Sequence, residues 1–160
     1  MKRLFVVIFV MIFMFVLFGC NKIEYNAEIV KEDVLFNQEW LDNNQVYNTY
    51  NLEIDEWNLE SPKDRVFVIN DEKQLNEVFN QFPTIYFENE MLIVYCYRTV
   101  YRREQKLTKV ILNNDVLEIE FDIVSGKFGY ADAAMPQTRV CVIRMDKVEF
   151  TSVNIKYTGQ

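Results

Sequence analysis

The chain has 160 residues, half of them apolar, with 24 acidic against 17 basic residues and a formal net charge of −7. That is a one-domain length, and the acidic balance speaks against a nucleic-acid partner, whose phosphates must be neutralised by cations. Histidine is absent, which excludes a Ser-His-Asp triad, a Cys-His dyad and an imidazole metal site and leaves carboxylate, lysine or tyrosine chemistry open.

The chain opens with Lys2 and Arg3, an unbroken apolar run Leu4–Phe18, then Gly19, Cys20 and the polar Asn21 and Lys22. This is the layout of a secretory signal peptide. The end Leu17-Phe18-Gly19-Cys20 resembles the lipobox of bacterial lipoproteins. The resemblance implies a signal peptide over 1–19, cleavage just before Cys20, and a diacylglyceryl thioether on its thiol. The body would then be lipid-anchored on the extracytoplasmic face of the cell membrane. An uncleaved N-terminal anchor is the alternative, although 4–20 is short of the roughly 20 residues a spanning helix needs; plain secretion is a third. Without Lys2 and Arg3 the 17 basic residues fall to 15 against 24 acidic, a net of −9. Such a charge suits a soluble body held off an anionic membrane surface.

Residues 20–33 are polar and read as a tether, followed by a globular domain over 34–160. Ala27–Leu41 carries a partial helical period, with Ile29, Val34, Phe36, Trp40 and Leu41 toward a core and Asp42-Asn43-Asn44 as the stop. Tyr50, Leu52 and Ile54 alternate as in a strand, and Ser61-Pro62-Lys63-Asp64 is a turn. Arg65–Ile69 is a short strand. Asn70 or Asp71 can cap a helix to about Asn80 by accepting from the free N–H groups of its first turn. Leu75, Val78, Phe79 and Phe82 share one face, and Pro83 breaks the helix. Met91–Tyr97 is rich in β-branched and aromatic residues without Gly or Pro, and predicts a strand buried on both faces at the centre of a sheet. The later strands are expected to lie beside it. Leu107–Leu112 and Val116–Val124 form a hairpin around Asn113-Asn114-Asp115, residues that tolerate positive φ. In the second of these strands Leu117, Ile119, Phe121 and Ile123 alternate with Glu118, Glu120 and Asp122, the mark of one wet face. Ser125–Thr138 is irregular, and Val140–Met145 and Val148–Tyr157 are the last strands. The fold class is α+β: one small domain, a mostly antiparallel sheet and one or two helices.

Three groups of side chains carry candidate chemistry. Glu118, Glu120 and Asp122 lie about 6–7 Å apart along one strand face, a spacing open to an acid/base pair or a cation. The plainer reading, which we favour, is a solvated face paired with lysines across the hairpin, such as Lys106 and Lys109. Arg98, Arg102 and Arg103, interleaved with Tyr97 and Tyr101, are either an anion or partner site or a charged edge that discourages strand pairing. Cys96 and Cys141 sit inside predicted strands, either bridged, as an oxidising compartment allows, or as small buried hydrophobes. Two thiols without histidine fall short of a zinc site. The loop from Ser125 lacks the ending of a phosphate loop, and is either a plain connection or, as long loops often are, a binding segment.

From about Arg65 to Lys156 the order is strand, helix, "FENEMLIVYCY", hairpin, small-residue loop with a proline, and "VCVIRMDK". This resembles the C-terminal domain of PrcB-like proteins and uncharacterised Gram-positive lipoproteins of the same layout. That family stabilises an extracytoplasmic protease by binding it and has no known catalytic residues to carry over. Where it often has a Gly-Pro-Gly-rich turn after the central strand, this chain has Arg98-Thr99-Val100-Tyr101-Arg102-Arg103. The expectation is a membrane-tethered, non-enzymatic module at the cell envelope that binds a protein, such as a protease, or a peptide. Its contacts would be Arg98, Tyr101, Arg102 and Arg103 and the segment Ser125–Arg139, with no cofactor or metal. A carboxylate-dependent hydrolase and a purely structural envelope lipoprotein are the alternatives.

Overall fold

The computed structural model describes residues 22–44, 50–51, 56–57, 65–99, 104–124 and 137–158. In chain order the strands and helices begin with β1 (Lys22–Tyr25), β2 (Ala27–Ile29), β3 (Leu35–Phe36) and α1 (Gln38–Asn43). Then come β4 (Tyr50–Asn51), β5 (Glu56–Trp57), β6 (Arg65–Ile69), α2 (Glu72–Val78) and β7 (Phe79–Gln81). The long strands follow: β8 (Glu90–Thr99), β9 (Glu104–Asn113), β10 (Val116–Val124), β11 (Gln137–Asp146) and β12 (Ser152–Thr158). The fold is α+β and mostly antiparallel, with one parallel pair, β10–β12.

One four-stranded sheet runs β1-β9-β10-β12 and another β2-β11-β8-β6. They pack face to face through Met91, Ile93 and Tyr95 of β8, Ile143 and Met145 of β11, and Val110, Leu117, Ile119 and Phe121 of the other sheet. The second face of β8 is also covered. Leu92, Val94 and Cys96 lie with Ile69, Val78, Phe79 and Val142 under Trp40, Leu75 and Phe82, so helices and the β3–β7 pair form a third layer. Phe79 meets Phe36 and Phe82 at ring distances of 4.8 Å each, and Trp40 meets Phe67 edge-on at 5.0 Å. The apolar run Met91–Tyr97 is thus a central strand with both faces covered, as its composition requires.

The later strands do not all lie beside it. β6 and β11 occupy both edges of β8, so β9, β10 and β12 have no free edge there and build the second sheet. Its hairpin turns at Asn114 and Asp115, with φ of 48° and 63°, the two positive values that a two-residue turn matched to strand twist demands. The alternation read in β10 holds, with Leu117, Ile119 and Phe121 buried between the sheets.

Four local expectations are corrected. The polar stretch read as a tether is structured from Lys22 onward: β1 pairs β9 and β2 pairs β11. Edge strands with one wet face carry enough Lys and Glu to look like linker. The helical period over 27–41 is broken at its start, where Ala27–Ile29 is a strand, and again at Asp33, whose φ of 58° is not helical. Only Gln38–Asn43 is helical there, capped by the Asn37 side chain, which accepts from Glu39 and Trp40 N–H. The core positions Ile29, Val34, Phe36 and Trp40 are nonetheless in contact with the core. In α2 the Asp71 cap accepts from Gln74 N–H at 2.8 Å, but the helix ends at Val78, before Pro83, because Phe79 turns extended to pair with β3. The last strand starts at Ser152 and lies parallel to β10. The turn at 61–64 and the segment 125–136 lie outside the described residues.

A candidate binding end of the sandwich

The registers sort the connections by end. Lys22 lies opposite Asn113, beside the hairpin turn. At the other end Val124 lies opposite Glu104 and Gln137 opposite Thr99. The connections 100–103 and 125–136 therefore both leave from the end opposite Lys22. Arg98 is in β8 there, its backbone paired with Thr138; Tyr101, Arg102 and Arg103, like Cys20, lie outside the described residues. Of the candidate segment Ser125–Arg139, residues Gln137–Arg139 open β11.

Polar side chains join the two sheets at this end. The hydroxyls of Tyr95 and Tyr157 are 2.7 Å apart, and Gln105 Nε2 donates to Tyr157 Oη at 3.3 Å. Tyr95 stacks on Tyr97 and Phe121 at 5.1 and 5.9 Å. A cavity of about 440 Å³ opens beside them, with Lys31, Tyr97, Gln105, Arg139, Val140 and Cys141 on its wall. A second, of about 350 Å³, adjoins it through Lys31 and Gln105 and adds Lys106 and Glu28. Lys31, Lys106, Arg139 and Glu28 are the charged residues on these walls. The amide oxygen of Gln105 is buried without a hydrogen-bond partner.

Two strands are only half covered here. β2 pairs β11 over Ile143–Met145, and one further bond, Val30 N–H to Val142 O at 2.9 Å, ends the ladder. Strand geometry points the N–H and C=O of Val140 the same way as those of Val142, toward an edge that carries no strand among the described residues. β1 likewise covers only Val110–Asn113 of β9. Sequence reasoning reached Arg139 through the loop ahead of it, but Lys31 and Gln105 carry no local signal, because their meeting depends on how two sheets stack.

The remaining candidates resolve as structure. Glu118 pairs with Lys156 at 2.7 Å and accepts from Asn113 Nδ2 at 3.2 Å; these two bonds, the Lys156 one foremost, hold its carboxyl below the usual range. Glu120 pairs with Lys109 at 3.4 Å, and Asp122 lies opposite Lys106 in register. The charges of the stripe are matched across strands as expected, Lys156 being the partner not read from sequence, but the face is not freely solvated: Glu118 is buried, at 9 % exposure. Cys96 lies opposite Val140, and Cys141 opposite Tyr95. The two thiols are one residue out of phase on adjacent strands and face opposite layers, so no disulfide joins them. Burial pushes the Cys141 thiol up to about 12, which removes the thiolate that nucleophilic chemistry needs. Among the described residues no group of three or more metal-binding side chains occurs, and no helix is long and apolar enough to cross a membrane.

The arrangement is a recess beside a β11 edge that carries no strand at Val140 among the described residues. No family model, curated protein or solved structure matches the chain.

Proposed function

We propose that this is a non-enzymatic lipoprotein of the cell envelope, anchored through Cys20, that binds a protein or peptide at the end of the sandwich farthest from the lipid. One observation carries the reading. Lys22, two residues after Cys20, opens β1 at one end, while the open β11 edge, the Lys31–Arg139 recess and the flanks of both candidate contact segments gather at the other. A lipidated Cys20 would have one residue between lipid and fold, which fixes the opposite end outward. The pairing of Glu118 and Glu120 with lysines favours binding over carboxylate catalysis. The resemblance of 65–156 to the PrcB-like domain makes an extracytoplasmic protease a candidate partner.

The test is an affinity pull-down of the full-length protein from its own membranes. Arg102→Glu with Arg103→Glu, and separately Arg139→Glu, should deplete specific proteins while the thermal midpoint hardly moves. Raised salt should mimic the loss, because exposed charge contacts are screened beyond about 10 Å at 0.1 M. An unchanged profile in stably folded variants contradicts the reading.

A further inference from the structure

We infer that the end of the sandwich that carries Lys22 seats directly on the bilayer, with the side chains of Tyr86 and Ile23 in the headgroup layer. The inference rests on the lipid anchoring of Cys20 proposed above and adds a surface of the folded domain that touches the membrane.

Reach comes first. Only Asn21 separates Cys20 from Lys22, and two extended residues span at most about 7 Å, so a lipid on Cys20 holds the start of β1 at the headgroups. Backbone bonds tie the other segments at this end into one platform. Asp146 N–H donates to Asn26 O at 3.4 Å, at the corner between β1 and β2; Lys147 N–H donates to Asn89 O and Thr151 N–H to Asp115 O, each at 2.8 Å. The turn at 86–90 is fixed within this platform. Tyr86 O accepts from Asn89 and Glu90 N–H at 3.0 and 2.9 Å, and Tyr86 N–H donates to the Glu90 carboxylate at 2.9 Å. Tyr86 is 66 % exposed, the most exposed large apolar side chain among the described residues, and Ile23 is 47 % exposed. Strand alternation puts Ile23 on the same face of β1 as Tyr25, which packs against the core; Ile23 points toward the space between the sheets yet stays uncovered at its rim. A tyrosine ring suits the headgroup layer, where its body is shielded and its hydroxyl stays wet. Charge does not supply the attraction: this end exposes Glu88, Asp115, Asp146 and Glu149 against Lys22 and Lys147. The contact is therefore apolar and aromatic, and anionic lipid opposes it.

The experiment uses the lipidated full-length protein in phosphatidylcholine vesicles that carry brominated lipid, with a small thiol-reactive fluorophore on Tyr86→Cys, on Asn89→Cys or, at the far end, on Arg139→Cys. Cys20 is blocked by its lipid, and Cys96 and Cys141 are buried. Arg139 lies along β11 from Asp146 by about 23 Å, beyond the contact range of the bromines, so quenching should be at least about fivefold stronger at position 86 than at 139. With the fluorophore at position 89, Tyr86→Ser with Ile23→Ser should lower the quenching at least about twofold while lipid labelling is unchanged. Exchanging part of the phosphatidylcholine for phosphatidylglycerol should lower quenching at position 86, and salt should restore it. Equal quenching at 86 and 139 overturns the inference, because the domain then lies on its side or stands clear of the bilayer. Quenching at 89 that ignores the double change overturns it too. So does quenching at 86 that rises with phosphatidylglycerol, which gives the contact to Lys22 and Lys147 instead. If the double variant fails to fold, the comparison of positions 86 and 139 decides without it. Failure of the anchoring reading looks different: wild-type protein that takes no lipid label sinks both, whereas labelled protein with equal quenching at the two ends sinks the seating alone.

Discussion

Leu92 and Ile93 are neighbours on β8 with no exposed surface, and they point into different layers: Leu92 toward the helices, Ile93 between the sheets. Each change to alanine deletes three carbons. At about 0.8 kcal/mol per buried methylene the transfer loss is about 2.4 kcal/mol, and incomplete collapse of the cavity adds up to about 2 kcal/mol. Both Leu92→Ala and Ile93→Ala should therefore cost about 2.5–4.5 kcal/mol, a large part of the roughly 5–15 kcal/mol that holds a domain together. A half-buried strand would show the loss at one of the two positions only. Urea unfolding at 25 °C, followed by the fluorescence to which Trp40 contributes, measures both; with a slope of about 1–3 kcal/mol/M the midpoint should fall by at least about 0.8 M in each variant. A cost below about 1 kcal/mol at either site refutes the layer assigned to that face. Val94→Asp, which places a carboxylate among Leu92, Cys96 and Phe79, should be worse than either.

Arg144 grips Glu90 with two bonds, Nε to Oε1 at 2.7 Å and Nη2 to Oε2 at 2.6 Å, and the Glu90 carboxyl is held below its ordinary 4.5 chiefly by that guanidinium. Its contribution is fully present above pH 4.5 and is lost as the pH falls through the lowered value. Glu90→Gln should cost about 1 kcal/mol at neutral pH, after discounting for solvent screening, and the gap to wild type should close in acid; a constant gap in pH-dependent urea midpoints contradicts this. Cys96 and Cys141 should both titrate as thiols in urea, two equivalents in the Cys20→Ser protein, and react slowly with a disulfide reagent in its native state; no titratable thiol in place of two would reveal a bridge. Cys20→Ser should abolish lipid labelling and leave an unprocessed precursor, and normal processing of that variant rules lipidation at Cys20 out.

The sequence was most legible where one strand carries its whole environment. Met91–Tyr97 is apolar at every position because both of its faces are covered by apolar layers, and β10 alternates because one face packs between the sheets while the other carries carboxylates paired with lysines. The caps also read locally, since Asp71 binds an N–H three residues away. The reading failed where a neighbour distant in sequence decides. Residues 22–29 look like linker until β9 and β11 lie beside them, and the positive φ at Asp33 leaves no trace in a helical period that still selects four of its five core positions, Leu41 being the exception. The site follows the same rule. Arginine clustering drew attention to one end of the fold, but the recess is made by Lys31, Gln105 and Arg139, which are brought together by sheet stacking and by a β2 too short to cover β11.

Photo-crosslinking from the intact membrane-bound protein compares the two ends directly, with the reactive residue placed at Arg139 in one variant and at Asp115, in the hairpin turn beside Lys22, in the other. The account predicts discrete protein adducts from position 139, reduced by added salt, and none from position 115. Adducts from position 115 with none from position 139 would contradict it.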